Sequence, residues 1–200
     1  YNTRSYLSAT DTTNHVITVA AGADEIWPGD RFYVMNVFEE LDSPGEWYCN
    51  RTTRVLYFWP PDGNLSTSHV TVPALDSAFA LSEPQGSGAV ASNIRLCGLA
   101  FEDFRGTTIS MSGAEHCSVI GCSFRNVGTA VWMNLYTHYN RVSGCDITQT
   151  GAQALGGGSY AGQSDLVSDH IFDNNYIYDT GWVDKGYNAI DTWCVSNCIF

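Results

Sequence analysis

Carboxylate and aromatic side chains concentrate between residues 156 and 191, where the sequence predicts long loops. Asp184 and Asp191 form a candidate pair, since two carboxyl groups can act as acid and as base or nucleophile around an oxocarbenium-like transition state. This chemistry requires carboxyl groups ~5–9.5 Å apart, the shorter distances giving retention and the longer ones inversion. An exposed aromatic ring offers an apolar platform for a pyranose. We therefore predict Asp184 and Asp191 as catalytic residues, and substrate contacts from Tyr160, His170, Trp182 and Tyr187.

These loops belong to a chain with a short internal repeat. The spacing from Gly98 to Gly121 equals that from Gly121 to Gly144 (121 − 98 = 144 − 121 = 23), and the step from Gly144 to Asn174 is longer (174 − 144 = 30). Repeats of this length indicate a solenoid, in which each repeat buries its apolar side against its neighbours. The extra residues of the third repeat fall within 156–169, and another long turn covers 181–188. Insertions of this kind form loops on one face of a solenoid, often the binding face.

The repeats contain short β-branched and aromatic runs between Gly, Asn, Asp and Ser, a pattern typical of strands and turns. Three short strands per repeat predict a parallel β-helix with coils ~4.8 Å apart. One inward column is expected to contain Phe101, Phe124, Ile147 and Ile177. A second is expected to contain Leu99, Cys122 and Cys145, with Asn175 as a polar continuation. Polar residues that follow the apolar ones should stack at a turn: Asp103, Asn126, Gln149 and Asp179.

Residues 1–82 lack this repeat and predict a small antiparallel β-domain with a lead-in to the helix, which then occupies residues 83–200. Alternating apolar residues between turn signals predict strands at 15–19, 31–38, 46–50, 54–60 and 69–74, and an earlier strand within 78–83. The segments 46–50 and 54–60 are expected to pair as a hairpin. No polar cap is visible at the C-terminal end, which leads us to expect a fragment of a longer protein.

Composition restricts the partners. The formal net charge is −12, and Lys185 is the only lysine. Nucleic acids and anionic membranes both require clustered basic residues, so neither is an expected partner. The sequence contains no run of eighteen or more apolar residues, so it predicts no transmembrane helix. No phosphate-binding loop or nucleophile elbow occurs, and no cofactor is predicted.

No metal site is predicted either. The acidic residues between 39 and 46 lack the spacing of a calcium loop and indicate an acidic turn. His116 and His138 recur near turn positions and could stack on adjacent coils (138 − 116 = 22). We favour two solvent-facing turn histidines over a metal-binding pair.

The cysteines and two sequons bear on the compartment. There are seven cysteines; Cys122 and Cys145 share a repeat position, and stacked buried thiols are favoured there over a disulfide. Asn50 and Asn64 begin N-x-[ST] sequons in loop-like contexts, where a glycan can be attached. Together these features predict a secreted, extracellular glycoprotein.

Residues 38–63, FEELDSPGEWYCNRTTRVLYFWPPDG, resemble a segment of large carbohydrate-active right-handed parallel β-helix proteins. ALGGGS at 154–159 and NNYIYDTG at 174–181 are similar to the same group. The resemblance implies an all-β chain, a right-handed parallel β-helix preceded by a small antiparallel β-domain, with glycoside hydrolase activity. This sequence departs from the pattern at Cys49, where Leu is usual, and in the loop 159–169, which lacks a basic residue.

Three functions therefore stay open. The first is an extracellular carbohydrate-active protein that hydrolyses glycosidic bonds and has a polysaccharide or glycan as its partner. The second is a non-catalytic structural or glycan-binding protein, with self-assembly of its rod-like helix. The third is a polysaccharide lyase, which needs a strong base and a cation or basic cluster beside a uronate carboxylate. The acidic charge of the chain disfavours the third.

Overall fold

A computed structural model describes residues 5–20, 27–83, 89–159 and 167–200. The chain divides into two compact units, Arg4–Thr71 and Val72–Phe200. Within the described residues both units are built from β-strands, and the one helical element is a 3-10 turn at Phe38–Glu40. The predicted all-β class is therefore confirmed.

The second unit is a parallel β-helix with three sheets. One sheet contains β6 (Ala91–Ser92), β9 (Ala114–Glu115), β12 (Thr137–His138) and β16 (Val167–Ser168). The next contains β7 (Arg95–Cys97), β10 (Ser118–Ile120), β13 (Arg141–Ser143) and β17 (Ile171–Asp173). The third and longest contains β5 (Phe79–Ser82), β8 (Ala100–Ser112), β11 (Ser123–Met133), β14 (Asp146–Thr150), β15 (Leu155–Gly158), β18 (Tyr176–Tyr178) and β19 (Ile190–Trp193). Every pairing in these sheets is parallel.

The predicted inward column is confirmed. Phe124 pairs with Phe101 on one side and with Ile147 on the other, and Ile147 pairs with Ile177. The first three side chains are buried and Ile177 is half-buried. The rings of Phe101 and Phe124 stack with centroids 4.9 Å apart. The repeat thus places one large apolar side chain per coil at the same point of the core.

The predicted polar turn is also confirmed, and its backbone explains the residue types. All four positions have positive φ: Asp103 at 62°, Asn126 at 52°, Gln149 at 55° and Asp179 at 53°. Asn and Asp tolerate this left-handed conformation better than other residues that carry a Cβ. The Asn126 side-chain amide donates to Asp103 Oδ1 at 2.7 Å, which joins two coils. The glycines of the repeat have the same role at another corner, where Gly98, Gly121 and Gly144 have φ between 60° and 66°.

The prediction of a second buried column is confirmed for Cys122 and Cys145, whereas Leu99 is exposed. Cys122 and Cys145 are buried free thiols. Leu99 is 39% exposed, because the arm of β8 that follows it pairs with β11 alone and no described strand lies on its other side. Asn175 continues the column by hydrogen bonding: its Oδ1 accepts from Cys145 N and its Nδ2 donates to Val142 O, both at 3.0 Å.

The unit Arg4–Thr71 contains two antiparallel hairpins. β1 (Leu7–Asp11) pairs with β2 (Val16–Val19), and β3 (Trp47–Asn50) pairs with β4 (Val55–Phe58) as expected. The strands predicted at 31–38 and 69–74 are wrong. Asn36 explains the first error: with φ at 57° it breaks the extended run, and its side-chain amide takes over the pairing with both backbone groups of Cys49, at 2.8 and 3.0 Å.

Candidate functional site

The extra residues of the third coil flank the glycine strand β15 in sequence. On the second sheet Val119 pairs with Val142, which gives the regular offset between coils (142 − 119 = 23). The offset grows to 24 between Val131 and Leu155 (155 − 131) and to 30 between Thr137 and Val167 (167 − 137). One extra position therefore precedes Leu155 and the others follow Gly158. The segment 160–166, which includes the predicted substrate contact Tyr160, is outside the described residues.

The strand β15 uses two outward glycines to let tryptophans approach its backbone. Successive residues of a strand point to opposite faces, so Gly156 and Gly158 are outward while Leu155 and Gly157 face the core. A Cβ on Gly156 would overlap the carbonyl oxygen of Asp191 and lie 2.8 Å from Trp132 Cζ3. A Cβ on Gly158 would lie 2.7 Å from Trp193 Cδ2. One indole from the coil on each side therefore leans onto the glycine strand.

The two indoles border a cavity of about 330 Å³. Its lining is formed by Ser112, Trp132, Asn134, Leu135, Gly158 and Trp193. The Trp132 indole N–H donates to Asn134 Oδ1 at 2.9 Å, which fixes the indole and leaves the Asn134 amide nitrogen for a ligand. Trp193 is 38% exposed, so part of its ring is open to solvent. Ligand sites commonly occupy ~300–1,000 Å³ and combine aromatic walls with a few polar groups. We call this cavity the indole groove.

Asp191 lies next to the indole groove. It pairs with Gly156 in β19 and is two residues before Trp193, so both side chains project to the same outer face. Asp184 lies on the turn between β18 and β19, where its N–H donates to Gly151 O at 2.8 Å. Gly151 is five residues before Gly156, so the backbones of Asp184 and Asp191 contact different parts of the preceding coil.

The remaining predicted contacts are distributed between surface and core. Trp182 and Tyr187 are on the same turn as Asp184 and are 58% and 49% exposed. His170 is 1% exposed, and both ring nitrogens have partners: Asn140 N–H donates to Nδ1 at 3.2 Å, and Thr137 Oγ1 lies 3.3 Å from Nε2. This interior position does not fit a substrate contact. His170 immediately precedes β17, as Asn140 precedes β13, and it has the same inward orientation.

The two turn histidines do not stack on each other. His116 stacks instead on Tyr139, with ring centroids 5.1 Å apart. The reason is that one full repeat leads from His116 to Tyr139 (139 − 116 = 23), whereas His138 falls one position short of it. His138 Nδ1 lies 3.0 Å from Ser168 Oγ. Across the described ranges, no group of three or more His, Cys, Asp or Glu residues is arranged to hold a metal ion.

Both sequons lie in turns. Asn50 Oδ1 accepts from the N–H groups of Thr52 and Thr53 at 3.0 Å, at the end of β3. Asn64 is exposed, and its Oδ1 accepts from Ser66 N at 3.1 Å.

Burial of His170 predicts a pH-dependent stability. Desolvation, and secondarily the charge of His138, lower its pKa from 6.5 to about 4, while Asp169 opposes the shift. Between pH 6.5 and pH 4 the unfolded chain binds a proton at His170 more readily than the folded chain does. The contribution of neutral His170 to the free energy of unfolding is therefore fully present above about pH 6.5 and is lost as the pH falls towards 4. The full loss is about 3 kcal/mol. We expect urea unfolding of the intact chain at pH 7 and pH 4.5 to differ, and the difference to shrink in His170→Asn. An unchanged difference in this variant would contradict the assignment.

No protein-family model, curated protein or solved structure matches the chain. Among the described residues, no helix has the length and apolar character needed to cross a membrane.

Most of the indole groove was missed from the sequence. Trp132 and Ser112 belong to strands that precede the insertion, and Asn134 follows the second of these strands directly. No pattern in the sequence sets these three residues apart from the other outward residues. The available signal was the run of glycines at 156–158, because a glycine in a strand often marks the close approach of another group, but this run was predicted to lie in a loop.

Proposed function

We propose that this protein binds glycans and that the indole groove is the binding site. The observation that carries this proposal is the approach of two indoles, from two different coils, onto outward glycines beside an open cavity. Indole faces pack against the C–H faces of sugar rings, and a few polar groups then fix the orientation of the ligand. Ser112 and Asn134 supply a hydroxyl and an amide for this purpose.

Glycoside hydrolysis is a second candidate function, favoured by the position of Asp191 on the same face as Trp193. In this proposal Asp191 is one catalytic carboxylate and Asp184 the other, with Trp182 and Tyr187 as further contacts on the adjoining turn. Hydrolysis requires the two carboxyl groups to approach the same glycosidic bond.

The proposed function implies an extracellular protein, and the sequons at Asn50 and Asn64 support this location. The non-catalytic role predicts binding without turnover, together with lateral or end-to-end assembly of the native protein. The lyase role predicts cleavage of uronate polymers that depends on calcium.

Replacing Trp193 with Ala should weaken glycan binding by about 10-fold, since stacking on one aromatic side chain contributes ~1 kcal/mol or more and about 1.4 kcal/mol corresponds to tenfold. The measurement is isothermal titration of the chain with neutral oligosaccharides of plant, algal and animal type, followed by assay of reducing ends. Trp47→Ala is the matched control, because Trp47 is an exposed tryptophan of the other unit. Equal glycan affinity in Trp193→Ala and the parent protein would contradict the assignment of the indole groove as the binding site.

The test for hydrolysis uses the variants Asp184→Asn and Asp191→Asn. Both substitutions retain the shape of the side chain and remove its charge. Loss of product in either variant with retained binding and folding supports catalysis by that residue. Undiminished hydrolysis in both variants would exclude the pair.

Glycan attachment is expected at Asn50, Asn64 or both when the chain is secreted from a eukaryotic cell. Peptide mass spectrometry before and after treatment with a glycan-removing amidase checks this, since release converts the modified Asn to Asp. Two unmodified asparagines in the secreted protein would remove the sequons as support for the location.

A further inference from the structure

We infer that the indole groove selects neutral pyranosides and excludes uronates, an inference that rests on the proposed function. Besides the two tryptophans, the lining residues with polar side chains are Ser112 and Asn134, and no side chain of the lining carries a charge. A carboxylate entering the cavity would lose water and find no cationic partner in this lining, which is unfavourable for an ion. A neutral sugar loses much less, because hydroxyl and amide groups replace its hydrogen bonds to water.

The basic residues of the β-helix lie elsewhere. Arg105 forms an ion pair with Asp76 at 3.0 Å, and Arg141 forms one with Asp173 at 2.6 Å. The Arg125 Nε donates to Gln149 at 3.3 Å at the polar turn. Neither Arg95, on the second sheet, nor Lys185, on the turn before β19, lines the cavity. The uronate-binding groups that polysaccharide lyases require are therefore missing from the lining formed by the described residues.

A negative charge stands beside the groove on its outer face. Asp191 occupies the outward position of β19 beside Gly156, two residues before Trp193. Its carboxylate repels an anionic ligand, and this repulsion is strengthened where the indoles displace water and weakened by salt. Asp191 therefore acts as a specificity determinant towards charge, whether or not it also acts in hydrolysis.

The indole faces restrict the sugar further. A pyranose with equatorial hydroxyl groups presents uninterrupted C–H faces, whereas an axial hydroxyl interrupts one face. Stacking on Trp132 and Trp193 thus favours sugars of the gluco and xylo configurations. The chemical class assigned to the groove is a neutral, equatorially substituted pyranoside.

The test is isothermal titration of the complete chain with xylohexaose, cellohexaose and hexagalacturonate, in EDTA and at low and high salt. At low salt we expect a neutral hexamer to bind about 10-fold more tightly than hexagalacturonate. We expect this difference in affinity to be smaller in Asp191→Asn. Ser112→Lys places a cation in the lining and should improve uronate binding, with Ser112→Met as the control for side-chain bulk.

The outcomes of this titration distinguish failure of the selectivity for neutral sugars from failure of glycan binding itself. Hexagalacturonate that binds as tightly as the neutral hexamers, and loses that binding in Trp193→Ala, overturns the selectivity while leaving a glycan-binding groove. A preference for neutral sugars that is unaltered in Asp191→Asn overturns the role of that carboxylate. Absence of binding by all three hexamers, with binding of another neutral oligosaccharide, overturns the assigned sugar class. Absence of binding by every plant, algal and animal oligosaccharide overturns the proposed function itself.

Discussion

Replacing Phe124 with Ala is expected to lower the free energy of unfolding by about 3–5 kcal/mol, the usual cost of truncating a buried phenylalanine. Phe124 is fully buried, stacks on Phe101 and pairs with Ile147 in the next coil. The cavity that the truncated side chain leaves cannot collapse easily, because the backbone hydrogen bonds between parallel strands hold the coils on both sides at a fixed spacing. Equilibrium urea unfolding, followed by far-ultraviolet circular dichroism, measures the change.

The control for this prediction is Phe124→Leu, which retains most of the side-chain volume and should cost less than about 1.5 kcal/mol. A loss below about 1 kcal/mol in Phe124→Ala, on the order of a surface substitution, would mean that the inward column is incorrectly registered.

Gly156→Ala is the second large effect, with an expected loss of about 3 kcal/mol or more from overpacking. The new methyl group would overlap the backbone oxygen of Asp191 and crowd the Trp132 ring. A side chain can rotate away from a clash, but a carbonyl held in a strand pairing cannot move without separating two coils. Thermal unfolding of the variant should therefore begin at a lower temperature, and its glycan binding should also weaken.

Gly151→Ala provides the matched control five residues earlier in the same coil. The closest atom to its added Cβ, Gly128 Cα, would be 3.5 Å away, an ordinary van der Waals contact. Replacing a glycine with alanine also stabilises the fold by ~0.4–1 kcal/mol where the backbone permits it, because the unfolded chain loses entropy. We expect stability to be unchanged or slightly increased. Equal destabilisation by the two substitutions would contradict the close approach at Gly156.

Much of the β-helix could be predicted because its repeat is encoded in single positions. A glycine or asparagine with positive φ marks one corner of each coil, and an apolar residue three positions later marks the core. Leu99 was assigned incorrectly because the repeat reports which way a residue points and not how many strands flank it. Residues 31–38 failed because alternation cannot reveal that the side chain of Asn36 replaces a backbone pairing.

The site was harder to predict because its residues come from different coils. The position of the insertion decides which outward residues become neighbours, and only the observed register shows that Trp132 and Trp193 converge on Gly156 and Gly158. His170 adjoins a long loop in sequence, but its place immediately before a strand predicts the inward side chain that the structure shows. Asp191 belongs to the strand that pairs with the glycines, and its catalytic role stays a prediction.

Two-dimensional ¹H–¹⁵N spectroscopy of the indole N–H groups tests the central claim most directly. The chain has six tryptophans, so each indole gives one signal that single substitutions can assign. Titration with xylohexaose or cellohexaose is predicted to shift the signals of Trp132 and Trp193, while those of Trp27, Trp47 and Trp59 stay in place. A saturable shift confined to tryptophans outside the indole groove, with Trp132 and Trp193 unaffected, would contradict the account.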